Sequence, residues 1–180
     1  MDKVQTFAIQ GPVLVTPRCF EDERGFFMET YHRQRYREHG IEPEFVQDNH
    51  SLSIKHTLRG LHYQVNRVQA KLVRVVRGDI YDVAVDLRPH SPTLGQWIGV
   101  HLSAENRAQF FVPQGFAHGF QVTSDWAEVI YKCSDIYSPK DERGILWSDP
   151  ALNIDWPNAD SPVLSEKDQH YPRFTDRQLD

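Results

Sequence analysis

Lys71-Leu72-Val73-Arg74-Val75-Val76-Arg77-Gly78-Asp79-Ile80-Tyr81-Asp82-Val83-Ala84-Val85-Asp86-Leu87 reads as two β-strands, Ala70–Val76 and Ile80–Leu87, on either side of a Gly-Asp turn. Branched apolar residues recur at alternate positions, and alternate positions share a face. If Gly78-Asp79 closes a two-residue hairpin, Lys71 shares its face with Asp82 and Asp86, and either carboxylate is its expected counter-ion. Outward from this pair the same grammar repeats. Val13–Arg18, Phe45–His50, Gln96–Leu102, Gln109–Val112, Phe116–Val122 and Trp126–Cys133 are further strands. Turn signals at Ser103-Ala104-Glu105-Asn106, Pro113-Gln114-Gly115 and Ser124-Asp125 separate them. Short strands at fairly even intervals predict an all-β sandwich or barrel.

One short helix is expected over His32–His39, charged, free of breakers and stopped by Gly40. From Ser138 onward the chain is rich in Pro, Asp and Trp, which predicts loops and short helical turns wrapped back on the barrel. At 180 residues, with no internal repeat or linker, the expectation is one domain over 1–180. A net charge of −5 leaves no basic footprint for nucleic acid. No apolar run approaches membrane-spanning length, and the N-terminus has no apolar signal core, so a cytoplasmic protein is expected. Cys19 and Cys133 lack metal-type spacing and read as packed thiols.

Against this background some polar residues are out of place. Lys71 shares a face with Val73 and Val75, His118 with Phe116, Phe120 and Val122, and Tyr131 with Ala127, Val129 and Cys133. Desolvating such groups costs several kcal/mol (~2–7 for an unpaired polar group), and functional sites are where that cost is tolerated. Arg59-Gly60-Leu61-His62-Tyr63-Gln64 adds an arginine and a histidine to one strand. Arg59 and His62 have opposite parity, so either Gly60 permits a bulge or Arg59 sits at the barrel mouth.

His62 suits a general base, since an ordinary imidazole titrates near neutrality. The competing reading is a satisfied core histidine, and the neighbouring cations Arg59 and Lys71 tilt the balance towards function. Two cations would depress its pKa, so a carboxylate should hold it; composition alone does not select one of the 25 acids. Tyr131 suits a proton donor, against the plainer role of an inward tyrosine bonded to a backbone carbonyl. Lys71 suits an electrophile that stabilises a developing oxyanion, against a structural Lys71–Asp82 pair. Arg24, Glu29, Gln47, Asn49, Arg59 and Lys167 suit an anionic, hydrogen-bonding ligand, and Phe26 a stacked base. Individually each is an ordinary surface residue.

Pro113-Gln114-Gly115-Phe116-Ala117-His118 has the Pro-x-Gly-x-x-His form of a cupin second motif. The first motif needs His-x-His, which occurs nowhere in the chain, so the cupin-type jelly-roll barrel is expected without its metal.

The chain resembles the dTDP-4-dehydrorhamnose 3,5-epimerase family of the cupin superfamily. The resemblance runs in order through Asp22-Glu23-Arg24-Gly25-Phe26-Phe27, Gln47-Asp48-Asn49-His50-Ser51, Arg59–Gln64, Lys71–Val75, Gly78–Arg88, Pro113–Phe120 and Tyr131-Lys132. It ends with Glu142-Arg143-Gly144, Asp149-Pro150, Trp156-Pro157 and Ser165-Glu166-Lys167-Asp168. It implies epimerisation of dTDP-4-dehydro-6-deoxy-D-glucose at C3 and C5, in the pathway to dTDP-L-rhamnose, with no redox cofactor and no metal. By resemblance His62 removes the proton, Asp168 orients it, Lys71 holds the enolate oxygen and Tyr131 returns a proton. Arg24, Phe26, Glu29, Gln47, Asp48, Asn49, Arg59, His118, Tyr137, Glu142 and Lys167 would form the sugar and nucleotide pocket, some from a partner subunit. Tyr137 stands where some members carry Trp. The family further implies a homodimer with an exchanged N-terminal strand, which would bury the second apolar face formed by Tyr81, Val83, Val85 and Leu87. Competing readings are a single-position epimerase on a related dTDP-4-keto sugar, a non-catalytic nucleotide-sugar binding module, and a metal-dependent cupin.

Overall fold

The strands pair into two facing antiparallel sheets and one small outlying hairpin. The computed structural model describes residues 2–177; positions 1 and 178–180, the ends of the expected 1–180 domain, lie outside the described residues. A six-stranded sheet has the order β1 (Lys3–Thr6), β2 (Val13–Thr16), β10 (Gln109–Val112), β7 (Lys71–Arg77), β12 (Trp126–Cys133), β5 (Gln47–Ile54). A five-stranded sheet has the order β13 (Glu142–Gly144), β6 (Leu58–Gln64), β11 (Phe116–Val122), β8 (Asp79–Asp86), β9 (Trp97–Ser103). β3 (Cys19–Asp22) and β4 (Gly25–Met28) form the hairpin. Two sheets joined by crossing connections make the expected all-β, cupin-type jelly roll.

Period-two alternation fills the space between the sheets. Val73, Val75, Ile80, Ala84, Phe110, Phe120, Val122, Ala127 and Val129 are buried there together, each from the face that the alternation assigns. On the outside of the six-stranded sheet, Tyr36 of α1 (Arg33–Glu38) packs with Val15, Leu72 and Phe111. His32 caps α1, and Gly40, at φ +83°, turns the chain away after it, as expected for the 32–39 helix.

Two expectations from the Lys71–Leu87 stretch are corrected. β7 and β8 do not form a hairpin: β7 pairs with β10 and β12, β8 with β11 and β9. Gly78, at φ +73°, makes the corner by which the chain leaves one sheet for the other. A side chain there would meet the Trp126 carbonyl at 2.1 Å, so the corner needs glycine. Asp86 therefore does not face Lys71; it accepts from Arg88 Nε (2.9 Å), Ser91 Oγ (2.5 Å) and Thr93 Oγ1 (2.7 Å).

The second correction concerns the outer face of β8. Val83, Val85 and Leu87 are buried within the single chain, against Ile145, Leu152 and Trp156 of the C-terminal segment. That segment wraps the barrel as predicted, and it removes the apolar face as an argument for a dimer. It also carries α2 (Glu166–Gln169) to the mouth of the barrel, where the site lies. Among the described residues no helix is long and apolar enough to cross a membrane.

Candidate active site

The bulge at β6 comes first, because it aims the histidine. In the β6–β11 ladder His62 lies opposite His118 and Arg59 opposite Phe120, with a register shift between. Four residues of β6 thus span three of β11, and the extra residue brings both Arg59 and His62 to the inner side. Gly60 absorbs the irregularity at φ +117°, within a methyl's reach of the Gly119 backbone. Both alternatives hold at once: the bulge exists, and Arg59 is exposed at the cavity's edge.

The cavity has a volume of 390 Å³ and opens at one end of the barrel. His62 and His118 project into it from the five-stranded sheet; Lys71, Tyr131 and Cys133 project from the facing six-stranded sheet. Phe116, Phe120 and Val112 give it an apolar floor, and Gln47, Asn49, Tyr137, Glu142 and Lys167 a polar rim.

His62 Nε2 lies 2.6 Å from Asp168 Oδ1, and the Asp168 side chain is 3% exposed. Ser165 caps α2 and donates its hydroxyl to Asp168 Oδ2 at 2.7 Å, so both carboxylate oxygens are engaged. This arrangement protonates Nε2 and leaves Nδ1 as the basic nitrogen. Burial pushes the imidazole below its ordinary 6.5, the Asp168 hydrogen bond and charge oppose that, and Lys71 and Lys167 add to it. Burial would raise the Asp168 carboxyl, but His62 and Ser165 hold it below the usual carboxylate value.

Opposite, Lys71 makes no hydrogen bond or ion pair with the described residues. Burial lowers its ammonium, while Cys133, Asp82 and Glu142 raise it. Asp82 is the carboxylate expected beside it, but its Oδ1 is bonded to His118 Nε2 at 2.8 Å. Asp82 Oδ2 is buried without a hydrogen-bond partner, so Lys71 acts on it only through space. Tyr131, paired in register with Asn49 and Val73, has its hydroxyl raised first by burial and then by Cys133, which keeps it protonated.

At the rim Lys167 Nζ holds Glu142 at 2.8 Å, and Tyr137 donates its hydroxyl to Glu142 at 3.1 Å. Gln47 Oε1 accepts from the Tyr137 amide, and Gln47 donates to Asn49. Four candidate residues stand apart from the cavity in the single chain. Asp48 pairs with Lys132, Glu29 with Arg35, and Arg24 with Asp22. Phe26 lies exposed under the Arg107 guanidinium, 4.6 Å from its ring centroid. Sequence reasoning passed over Ser165 and Tyr171. The Ser-x-x-Asp spacing of 165–168, a helix-start signature, was the available signal for the first. Among the described residues no three of His, Cys, Asp and Glu gather in a group that could hold a metal.

A jelly-roll barrel with a His–Asp pair on one wall and a lysine and tyrosine on the other defines a cupin-type enzyme of acid–base chemistry. The sequence model of the dTDP-4-dehydrorhamnose 3,5-epimerase family matches residues 6–176. A dTDP-4-dehydrorhamnose 3,5-epimerase of Pseudomonas aeruginosa is 53% identical over 175 residues, 97% of this chain and 97% of its own. A dTDP-6-deoxy-D-glucose-3,5-epimerase of Legionella pneumophila, solved with dTDP-4-keto-L-rhamnose, superposes with a TM-score of 0.94 at 48% identity, covering 97% of this chain and 94% of its own. A dTDP-4-dehydrorhamnose 3-epimerase of Streptomyces niveus is more distant, 40% identical over 93% of this chain and 81% of its own. The chain belongs to the dTDP-4-dehydrorhamnose 3,5-epimerase family.

Proposed function

We propose that this enzyme epimerises dTDP-4-dehydro-6-deoxy-D-glucose at C3 and C5, giving dTDP-4-dehydro-L-rhamnose for dTDP-L-rhamnose biosynthesis. The observation that carries this reading is the placement of base and acid on opposite sheets of one cavity. Inversion at carbon needs a proton to leave one face and return to the other, and two groups on two walls meet that need. The C4 ketone acidifies the protons at C3 and C5, so the reaction balances without an oxidant or reductant.

Nδ1 of His62 takes the proton, and the Asp168 carboxylate stabilises the resulting imidazolium. Charge developing on the C4 oxygen meets the Lys71 ammonium, which is not spent on any other ion pair among the described residues. Tyr131, kept protonated by burial, delivers the new proton at C5; its phenolate and the His62 imidazolium then exchange protons with solvent, which resets both groups and supplies the proton at C3. His118 and Arg59 face the sugar and diphosphate, and Tyr137, Gln47, Asn49, Glu142 and Lys167 the nucleotide end. The apolar floor of Phe116, Phe120 and Val112 suits a deoxy sugar.

The enzyme acts as a single-domain homodimer in the cytoplasm. Two free cysteines suit a reducing compartment. The β3–β4 hairpin supports the dimer: it carries Arg24 and Phe26 away from its own cavity and exposes Phe20 and Phe27. Offered to a neighbouring copy, it would complete that copy's nucleotide pocket together with Glu29 and Asp48.

Incubation with the keto sugar in D₂O, followed by NMR, tests the activity. Deuterium at both C3 and C5 with an L-configured product is the expected result. Deuterium at one carbon alone assigns the single-position reaction, and tight binding without exchange overturns catalysis.

A further inference from the structure

Tyr171 follows α2 by two residues, and none of the roles above uses it. Its ring meets the His62 imidazole edge to face, with centroids 5.6 Å apart and planes at 72°. The same ring lies against Gly144: a methyl group there would fall 2.4–2.5 Å from three ring carbons. Gly144 is itself the cross-strand neighbour of His62. The missing side chain is therefore a slot, and Tyr171 fills it. The segment is pinned on both sides of this contact. Leu146 donates its amide to the Pro172 carbonyl at 2.8 Å, and Phe174 donates its amide to the buried Asp149 carboxylate.

A single hydrogen bond through Nε2 fixes one point of the His62 ring but leaves the ring plane free to swing about it. Proton abstraction from carbon is sensitive to that angle, because misplacement by ~1 Å can cost on the order of 10²-fold in rate. A second contact, against the ring itself, removes the freedom.

We propose that Tyr171 is a positioning residue for the reaction: its ring, seated on Gly144, sets the plane of His62 so that the free imidazole nitrogen addresses the sugar. The inference rests on His62 being the base. The ring, not the hydroxyl, does this. Burial, and then Glu142, push the phenol up to about 12, so it brings no charge to the site.

The pH profile separates this role from mere structural support. The charged and titratable groups around His62 are Asp168 and Lys167 on α2, Lys71 on β7, Glu142 on β13, His118 on β11, and Arg59 on its own strand. Of these, Lys167 contacts the Tyr171 hydroxyl, and Tyr171→Phe, Tyr171→Leu and Tyr171→Ala all remove that contact alike, so differences among the three report the ring. Burial is the main force lowering the His62 pKa. Removing the ring admits water, lets the imidazole titrate higher and moves the acidic limb of kcat/KM to higher pH.

Tyr171→Phe, Tyr171→Leu, Tyr171→Ala and Gly144→Ala are compared with wild type for kcat, KM, pH profile and melting temperature. Tyr171→Phe is expected within about threefold of wild type. The Leu and Ala variants should lose about 10- to 100-fold in kcat with KM nearly unchanged, and Tyr171→Ala, which opens the site to water, should also show the upward shift of the acidic limb. Gly144→Ala should lose kcat in the same way, with the ring still present but displaced. Tyr171→Leu keeps most of the volume, so it decides the matter if Tyr171→Ala does not fold. A folded Tyr171→Leu with wild-type kcat overturns the inference. A Tyr171→Phe variant as impaired as Tyr171→Ala also overturns it, by assigning the role to the hydroxyl. His62→Ala serves as the control: if it still exchanges deuterium, the base assignment falls; if it does not and Tyr171→Leu is silent, only the positioning role falls.

Discussion

Lys71 enters the barrel as a cation whose charge no ion pair among the described residues neutralises, and burial lowers its pKa from 10.5. His62 is lowered from 6.5, also by burial. The signs set a working window. The base must be neutral, and a depressed histidine stays neutral until the pH falls below 6.5 and through its folded-state value. The electrophile must be charged, and a depressed lysine starts to lose its proton before pH 10.5. A bell-shaped kcat/KM profile is expected, with its acidic limb below 6.5 and its basic limb below 10.5. Lys71→Gln should lower kcat by ~10²–10³-fold, the scale of losing one oxyanion donor. It should also push the remaining basic limb above 10, where the raised Tyr131 hydroxyl takes over. An unchanged basic limb in Lys71→Gln would remove Lys71 from the enolate's contacts. The inward faces of Lys71, His118 and Tyr131 were legible because alternation with valine, phenylalanine and alanine fixes direction along a regular strand. The Lys71–Asp82 proximity was legible too, though through a hairpin that does not exist. Both side chains face the interior from opposite sheets, and parity alone cannot distinguish the two geometries.

Two elements decide the site and neither is regular. β6 needs its bulge so that Arg59 and His62 share the inner side, and the bulge needs Gly60. An alanine there would set a Cβ 2.6 Å from the Gly119 Cα and 2.7 Å from the His118 carbonyl oxygen, at φ +117°. Gly60→Ala should destabilise the fold by about 3 kcal/mol or more, combining left-handed strain with overpacking against backbone. Urea unfolding would show a lower midpoint at an unchanged slope, and residual activity should fall because His62 turns with the strand. A variant with wild-type stability would show that β6 can close without its glycine. The sequence marks this place only as a conflict of parity, since period two breaks down where a residue is inserted. α2 is harder still. Four residues are too few for a helical period, and what picks out Asp168 is the cap at Ser165, a local signal separated from His62 by a hundred residues of chain. The partner of a base is a tertiary fact, and in this chain only the family resemblance reached it.

At the scale of the whole molecule the C-terminal segment does two tasks. It covers the outer face of β8, burying Val83, Val85 and Leu87, and it delivers Asp168 and Lys167 to the mouth and Tyr171 to the side of His62. The alternation in β8 correctly marks that face as buried, but alternation does not say by what, and proximity in one chain settled it. The argument for a dimer therefore rests on the other end of the chain. The β3–β4 hairpin exposes Phe20, Phe26 and Phe27 at 50%, 59% and 71%, and it holds Arg24 outside its own cavity. If the hairpin serves a neighbouring copy, one active site draws His62 and Arg24 from different chains. Arg24→Ala and His62→Ala are then each impaired alone, yet they complement each other when unfolded and refolded together. A mixed dimer has one site with both residues intact, namely the His62 of the Arg24→Ala chain served by the Arg24 of its partner. With random pairing in equal amounts, roughly a quarter of all sites regain wild-type activity. Deuterium exchange measured on the mixture, against the sum of the separate variants, reads this directly. Activity no greater than that sum, with a dimer seen in sedimentation, would place Arg24 in the service of its own chain.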